Sequence, residues 1–399
     1  MNVTTLPKTV LTKSRINSRV EQTVPSGIRA FFDLVIGKED VISLGVGEPD
    51  FATPWHICEA GIHSLETGRT SYSSNNGLLE LREEIAAFLY KTTGASYDPV
   101  KNIIVTVGGS EGIDLAFRTL LNPNEEAIIV EPSFVSYAPL TFLAGGIPVH
   151  LPTYAENGFA PTIEDLEKAV TPLTRAIIVN YPNNPTGTIL SDQQMDEIAE
   201  FVIRHDLILI SDEIYVPLTY ENDGKSFASH EEIRDRLILL HGFSKAWAMT
   251  GWRLGIAAGP SDIIEGMGKI HQYNVMCPPT VAQYAAIEAL RHGDEEVQNM
   301  RREYDRRRRF ITHHFNRMGL DCFEPFGAFY AFPSIKITGM SSQEFAEKLL
   351  DEENVAVVPG NVFGECGEGF VRCSYATSLD EIREAVKRIE NFVKHHKKA

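Results

Sequence analysis

The chain has 399 residues, 43% of them hydrophobic and 23% charged, and a formal net charge of −17 at pH 7. Length and composition are those of a soluble globular enzyme with about two to three domains. The acid excess excludes generic binding to nucleic acid or to an anionic membrane, since both need a positive footprint.

Residues 1–20 contain Lys8, Lys13, Arg15 and Arg19 and no acid. Without the apolar centre of a signal peptide they read as an N-terminal arm, which predicts a cytoplasmic protein. No apolar run reaches the roughly 18 residues of a membrane span. From about residue 100, short β-branched runs alternate with helical patterns. "NIIVTV" (102–107) predicts a strand and "SEGIDLAFRTLL" (110–121) a helix; "EAIIVE" (126–131) and "RAIIVN" (175–180) predict strands. A helix over 192–205 and the strand "LILISD" (207–212) follow. Continuous apolar strands separated by helices predict a mostly parallel sheet covered on both faces.

Beyond about residue 290 the pattern turns to a long charged helix, then "GAFYAFPSI", "VAVVPG" and "GFVRCSYA", which predict a smaller α+β domain. The expected division is 1–45 as arm and part of the small domain, 46–290 as the large domain, and 291–399 as the small C-terminal domain. Within the long helix, "RREYDRRRRF" (301–310) reads as a solvated face with Tyr304 and Phe310 turned inward. Cys58, Cys277, Cys322, Cys366 and Cys373 have no C-x-x-C or zinc spacing and read as buried thiols. The adjacent pairs His313–His314 and His395–His396 cannot share a metal on a helix and read as surface residues, so no metal site is expected.

Three predicted strands stop in unusual loops, at the strand ends where open α/β sheets bind ligands. In "VTVGGSEG" (105–112), glycines precede a helix, which suits either an anion on free N–H groups or a tight turn. In "NYPNNPTG" (180–187), Asn184 is restricted by Pro185, which suits either a turn or a side chain held in one place. "LILISDEIY" (207–215) ends an apolar strand on Asp212, either a cap or a carboxylate facing a cation, and Tyr215 follows three residues on. Later, "SKAWAMTGWRLG" (244–255) sets Lys245 at the head of an apolar run whose next charge is Arg253. An unpartnered buried ammonium is costly, so Lys245 calls for a partner.

These residues make compatible demands. Gly109 and Ser110 offer an anion cradle and Arg253 a second positive group for it. Asp212 seeks a positive partner, Tyr215 and Asn184 offer donors, and Lys245 offers an amine. Pyridoxal 5′-phosphate satisfies all of them, because its aldehyde condenses with lysine and its ring nitrogen takes an acidic partner.

The chain resembles the fold-type I, class I/II aminotransferases, in the subgroup of bacterial aspartate, alanine and aromatic enzymes. The resemblance runs from "PSGIRAF" (25–31) to "VRCSYATS" (371–378), through "GVGEPDFATP" (45–54), "YSSNNGLLELREEIA" (72–86), "VTVGGSEG", "NNPTG", "SDEIY" and "SKAWAMTGWRLG". It implies a large domain with a mostly parallel seven-stranded sheet, a smaller α+β domain, and a homodimer with shared active sites. It assigns Lys245 to cofactor attachment, Asp212 to the ring nitrogen, and Tyr215 and Asn184 to the ring 3-oxygen. Gly109, Ser110, Glu111 and Arg253 fall at phosphate-site positions. Ser244 joins them, although many relatives have their phosphate serine where this chain has Gly242. Phe134 matches the aromatic stacked on the ring, and Tyr72 the residue that reaches the neighbouring subunit's phosphate. Arg372 matches the holder of the substrate α-carboxylate, with the backbone of Gly47 beside it.

The implied activity is transfer of an amino group between an L-amino acid and a 2-oxo acid by a ping-pong mechanism, with glutamate and 2-oxoglutarate as one pair. An ordinary lysine, of pKa about 10.4, is scarcely neutral at pH 7. Burial and cationic neighbours are therefore expected to lower Lys245 so that it can act as a base. Ser110 stands where some dicarboxylate-using relatives carry a lysine, and "HQYNVMCPPT" (271–280) has no arginine, which disfavours aspartate as the donor. The alternative is another pyridoxal-phosphate reaction on the same scaffold, such as a carbon–sulfur β-lyase. A nucleotide-binding enzyme is disfavoured, because "GVGEPD" lacks the third glycine of a dinucleotide fingerprint.

Overall fold

The computed structural model describes residues 15–28, 40–221 and 224–398. Lys8, Lys13 and part of the expected 1–45 segment lie outside these residues. The short helix α1 (Ser18–Gln22) is followed by strand β1 (Ile42–Ser43) and helices α2 (Trp55–Glu66) and α3 (Leu79–Thr93). An alternation then begins: β2 (Ile103–Thr106), α4 (Gly108–Leu120), β3 (Glu126–Glu131), α5 (Tyr137–Leu143), β4 (Ile147–Pro152), α6 (Ile163–Ala169), β5 (Thr174–Asn180), α7 (Asp192–Arg204) and β6 (Ile208–Asp212). Strands β7 (Leu237–Gly242) and β8 (Gly255–Ala258) precede helices α8 (Ser261–Asn274) and α9 (Thr280–His292).

Strands β2 to β8 form one seven-stranded sheet in the order β2-β8-β7-β6-β5-β3-β4. All its pairings are parallel except those of β8, which runs antiparallel to both neighbours. The two-residue period of a strand accounts for the double burial. Val105, Ile128, Ile177, Leu209 and Leu239 enter one core, and Ile104, Ile129, Ile178, Ile210 and Leu240 enter another. Each such side chain contributes about 1.5–3 kcal/mol on burial, so both faces demand helical cover. Neither β4 nor β7 is predicted from the sequence. The exposed end of β4 weakens its apolar pattern, and the run "LILLHG" of β7 cannot be told from a buried helix by periodicity.

A separate core gathers the C-terminal elements α10 (Asp294–Met318), β9 (Tyr330–Ala331), α11 (Ser342–Glu353), β10 (Val355–Ala356), β12 (Val371–Ser374) and α12 (Leu379–His396), while β11 (Val358–Pro359) pairs with β12 and sends Val358 into a smaller cluster with Phe159, Phe332 and Phe363. β1 joins this region by parallel pairing with β10. The basic stretch of α10 departs from its expected solvated face. Tyr304 is buried as expected, but Arg307 and Arg308 are buried as well, at 5% and 0% exposure. Arg307 pairs with Glu303 on its own helix and with Asp50, and Arg308 with Asp305 on its own helix and with Glu221 and Glu324. Two cysteines, Cys322 and Cys373, are buried, whereas Cys58, Cys277 and Cys366 are half-buried. Of the histidine pairs, His314 and His396 are half-buried, tilted against the rings of Phe310 and Phe392.

Candidate active site

Because β2, β3, β5, β6 and β7 run in one direction, their carboxyl ends share one sheet edge. The segments leaving that edge enclose a cavity of about 500 Å³. Gly47, Gly109, Ser110, Phe134, Asn184, Asp212, Tyr215, Ser244, Lys245, Arg253 and Arg372 all line it. Glu111 and Tyr72 do not.

The turn from β2 into α4 is built for close approach. Gly108 has φ +74°, and a Cβ there would lie 2.5 Å from Nη2 of Arg253. A Cβ on Gly255 of the neighbouring strand would lie 2.5 Å from the Gly108 carbonyl carbon, so this crossing admits only glycine. The Glu111 carboxylate accepts from Val107 N–H (2.5 Å) and meets His271 Nδ1 at 2.9 Å. Its side chain therefore braces the turn instead of facing the cavity. Among the described residues, Arg253 donates only to the Thr250 carbonyl (3.1 Å). The start of α4 has no side-chain cap, and its free N–H groups with Arg253 beside them can receive an anion. At Gly242 a Cβ would press on the Leu254 carbonyl at 3.3 Å, whereas Ser244 is on the cavity wall.

Lys245 follows β7 directly, and its Nζ donates to the Gly47 carbonyl at 2.6 Å. Burial, and then the positive charge of Arg372, push its pKa down to about 8; Glu48 opposes them and Arg253 adds to them. The expected direction is found. Burial raises the pKa of Asp212 at the end of β6, while hydrogen bonds from Tyr137 and from Ile214 N–H act against it. The Tyr137 hydroxyl donates to Asp212 Oδ2 at 2.7 Å, and Asn180 Nδ2 donates to the Asp212 carbonyl at 2.7 Å. Asn180 also accepts from Asn184 N–H (3.1 Å), so the end of β5 positions both the Asp212 and the Asn184 segments. The Asn184–Pro185 bond is cis.

Arg372 is 2% exposed on β12. It donates from Nη1 to Asn184 Oδ1 (2.9 Å) and from Nη2 to the Gly45 carbonyl (2.7 Å), while its Nε finds no partner. The rings of Tyr330 and Phe363 lie 4.5 and 4.8 Å from its guanidinium carbon. The Tyr330 hydroxyl lies 2.8 Å from that of Tyr215. Arg372 also lines the cavity, where a guanidinium can pair with a carboxylate.

The sequence reading did not single out Tyr137, Asn180 or Tyr330. Tyr137 lies three residues after Phe134 and could be found by helical spacing. Asn180 ends its apolar strand as Asp212 does, which is the same signal. "GAFYAF" carries none for Tyr330.

Residues 39–389 match the family model described as Aminotransferase class I and II. The chain is 49% identical over 385 residues to aromatic-amino-acid aminotransferase 2 of Thermococcus litoralis, and equally to aspartate aminotransferase of Pyrococcus abyssi. Each match covers 96% of this chain and 99% of the relative. Among solved structures, aspartate aminotransferase from Thermus thermophilus with maleate aligns with a TM-score of 0.91 at 36% identity, covering 95% of this chain and 100% of that one.

Proposed function

This chain belongs to the class I and II aminotransferases, and on that premise we propose that it is a pyridoxal 5′-phosphate enzyme with glutamate and 2-oxoglutarate as one of its substrate pairs. The observation that carries the reading is Lys245, a half-buried amine whose pKa is lowered to about 8, facing one cavity with a buried carboxylate and a buried guanidinium. The donor set fits the cofactor. Gly109, Ser110, Ser244 and Arg253 would hold its phosphate, Asp212 its ring nitrogen, Tyr215 and Asn184 its 3-oxygen, and Phe134 its face. When bound, the cofactor supplies an electron sink for the charge left on the substrate Cα.

The protein's own groups do the rest. Arg372, on the cavity wall, binds the α-carboxylate. Asn184 holds the guanidinium in orientation. Lys245, as the neutral amine, takes the Cα proton and returns it. Asp212, fixed by Tyr137, holds a proton at the ring nitrogen. Lys245, Arg253 and Arg372 are the cations of the described cavity wall, and all three have roles. Ser110, where some dicarboxylate-using relatives carry a lysine, supports a preferred donor other than aspartate. The relatives do not separate the choices, since an aromatic and an aspartate enzyme are equally similar.

The division into residues 46–290 and 291–399, with 1–45 contributing to the smaller part, is supported by the separate cores and by the β1–β10 pairing. A cytoplasmic setting is supported by five cysteines that remain thiols. The working unit is a homodimer. Tyr72 is 80% exposed, and its loop is tied to the 272–283 segment by Thr280 to the Ser71 carbonyl and by Gln283 to Ser73. Exposed Tyr273, Val275 and Met276 belong to that segment, an apolar surface that a second copy would cover.

The test is reconstitution with pyridoxal phosphate, borohydride reduction and peptide mapping, followed by a panel of amino donors with 2-oxoglutarate and pyruvate. Label on Lys245 and oxo-acid product from at least one donor are expected. Label elsewhere sinks the site assignment, and sulfide release from cysteine conjugates without amino transfer selects the β-lyase.

A further inference from the structure

Lys245 and Arg372 come from distant parts of the chain, yet one segment holds both. The Gly47 carbonyl accepts from Lys245 Nζ at 2.6 Å, and the Gly45 carbonyl accepts from Arg372 Nη2 at 2.7 Å. The segment is anchored at each end. Upstream, Leu44 N–H donates to the Ala356 carbonyl (2.8 Å) and the Leu44 carbonyl accepts from Ser374 N–H (2.6 Å). Downstream, Thr53 Oγ1 donates to the Ala248 carbonyl at 2.7 Å. Between these anchors, the chain passes so close to Tyr330 that a Cβ on Gly47 would lie 2.8 Å from its hydroxyl.

Inside this span, the Asp50 carboxylate takes Nη1 of Arg307 at 2.8 and 2.9 Å. Arg307 is a fixed point. It is buried in the middle of α10, donates from Nε to Glu303 (3.0 Å), and lies 5.4 Å from the Phe51 ring and 5.5 Å from that of Tyr304. Glu303 already supplies Arg307 with a countercharge on its own helix, so neutrality alone does not require Asp50. What Asp50 adds is a charge-assisted tie from the loop to the helix.

We infer that the Arg307–Asp50 ion pair is a positioning element, setting residues 45–50 so that two loop carbonyls hold the site's amine and its carboxylate receptor in register. Arg307 and Asp50 touch neither substrate nor cofactor; they act through Gly45 and Gly47. The inference rests on the reading of Arg372 as the carboxylate receptor.

The experiment uses protein loaded with pyridoxal phosphate and titrates it with 3-phenylpropanoate, a carboxylate without an amino group, following the cofactor's absorbance. Pyridoxal phosphate affinity is measured separately, since the Gly109–Arg253 cradle lies on other segments. Asp50→Asn should weaken carboxylate binding about tenfold, as loss of one charged partner implies. Its cofactor affinity should fall by clearly less than that, because the Gly109–Arg253 cradle that would hold the phosphate lies on other segments and the loop reaches the cofactor only through Lys245. Arg307→Met should match Asp50→Asn, the double variant should be no worse than either, and Arg307→Lys should recover part of the loss. If Arg307→Met fails to fold, Asp50→Asn decides alone, since Arg307 keeps Glu303. Carboxylate binding within about twofold of the parent in Asp50→Asn overturns the inference, as does an equal loss of cofactor affinity. Arg372→Ala is measured in parallel. If it binds the carboxylate as the parent does, the receptor reading falls, and this inference with it; if it loses binding while Asp50→Asn does not, only the inference falls.

Discussion

At Lys245 burial and protonation oppose each other, and the balance is measurable. Its pKa falls from 10.5 to about 8, so between these values the unfolded chain holds a proton that the folded chain releases. Stability should therefore rise with pH across that window, and the full cost applies below it. In cofactor-free protein, Lys245→Met should be more stable than the parent at pH 7 by about 3 kcal/mol, an order-of-magnitude figure from the shift. Urea unfolding should show this advantage shrinking towards pH 10.5; an advantage that does not vary with pH would contradict the burial account. At Asp212 the sign is opposite. Burial raises its pKa and the Tyr137 hydroxyl is the first group opposing that rise, so Tyr137→Phe should protonate the carboxylate at higher pH. The acid limb of kcat/KM should move upward, and an unmoved limb would detach Tyr137 from catalysis. Asp212→Asn should keep the parent's circular dichroism while slowing turnover by about two orders of magnitude or more.

Among the elements, the β2–α4 turn carries the sharpest steric demand. Gly108 combines a positive φ with a position where a methyl group would meet the Arg253 guanidinium. Gly108→Ala should therefore displace Arg253 and strain the backbone, which costs about 1 kcal/mol or more. Affinity for pyridoxal phosphate should fall at least about tenfold, whereas pyridoxal, which lacks the phosphate, should bind as it does to the parent. Equal losses for the two ligands would mean that the turn shapes the whole cavity and not the anion cradle. Glu111 supports the same turn from behind, through Val107 and His271.

At the scale of the whole molecule, Tyr72 gives the decisive measurement. It is exposed and outside its own cavity wall, so its assigned role requires a second copy. Tyr72→Arg and Lys245→Ala should each be inactive alone. Mixed under conditions of subunit exchange, they should regain activity, because each heterodimer holds one site with an intact Lys245 and the other chain's intact Tyr72. Exchange without recovery would remove Tyr72 from the shared site. Cofactor affinity should also rise with protein concentration over the range where dimers form.

Four strands of the large sheet, β2, β3, β5 and β6, were legible because each is a short apolar run bounded by turn residues, a local property. So were Asp212, Asn184 and Lys245, each a polar group at the edge of an apolar run where burial without a partner would be costly. The resemblance singled out Arg372 and Phe134, which line the cavity although no local pattern distinguishes them, and Tyr72, which does not line it. Tertiary structure alone decided the rest. Arg307 and Arg308 sit in a run that is indistinguishable from a solvated helix face; they are buried because distant segments pack over them and add Asp50, Glu221 and Glu324 to the acids of their own helix. The place of β8 between β7 and β2 joins it to a strand from far upstream in the chain, a pairing that no local pattern shows. Tyr330 acquires its place from contacts with Arg372 and Tyr215, 42 and 115 residues away. Local sequence determines which groups need partners, and only the packed chain determines which partners they meet.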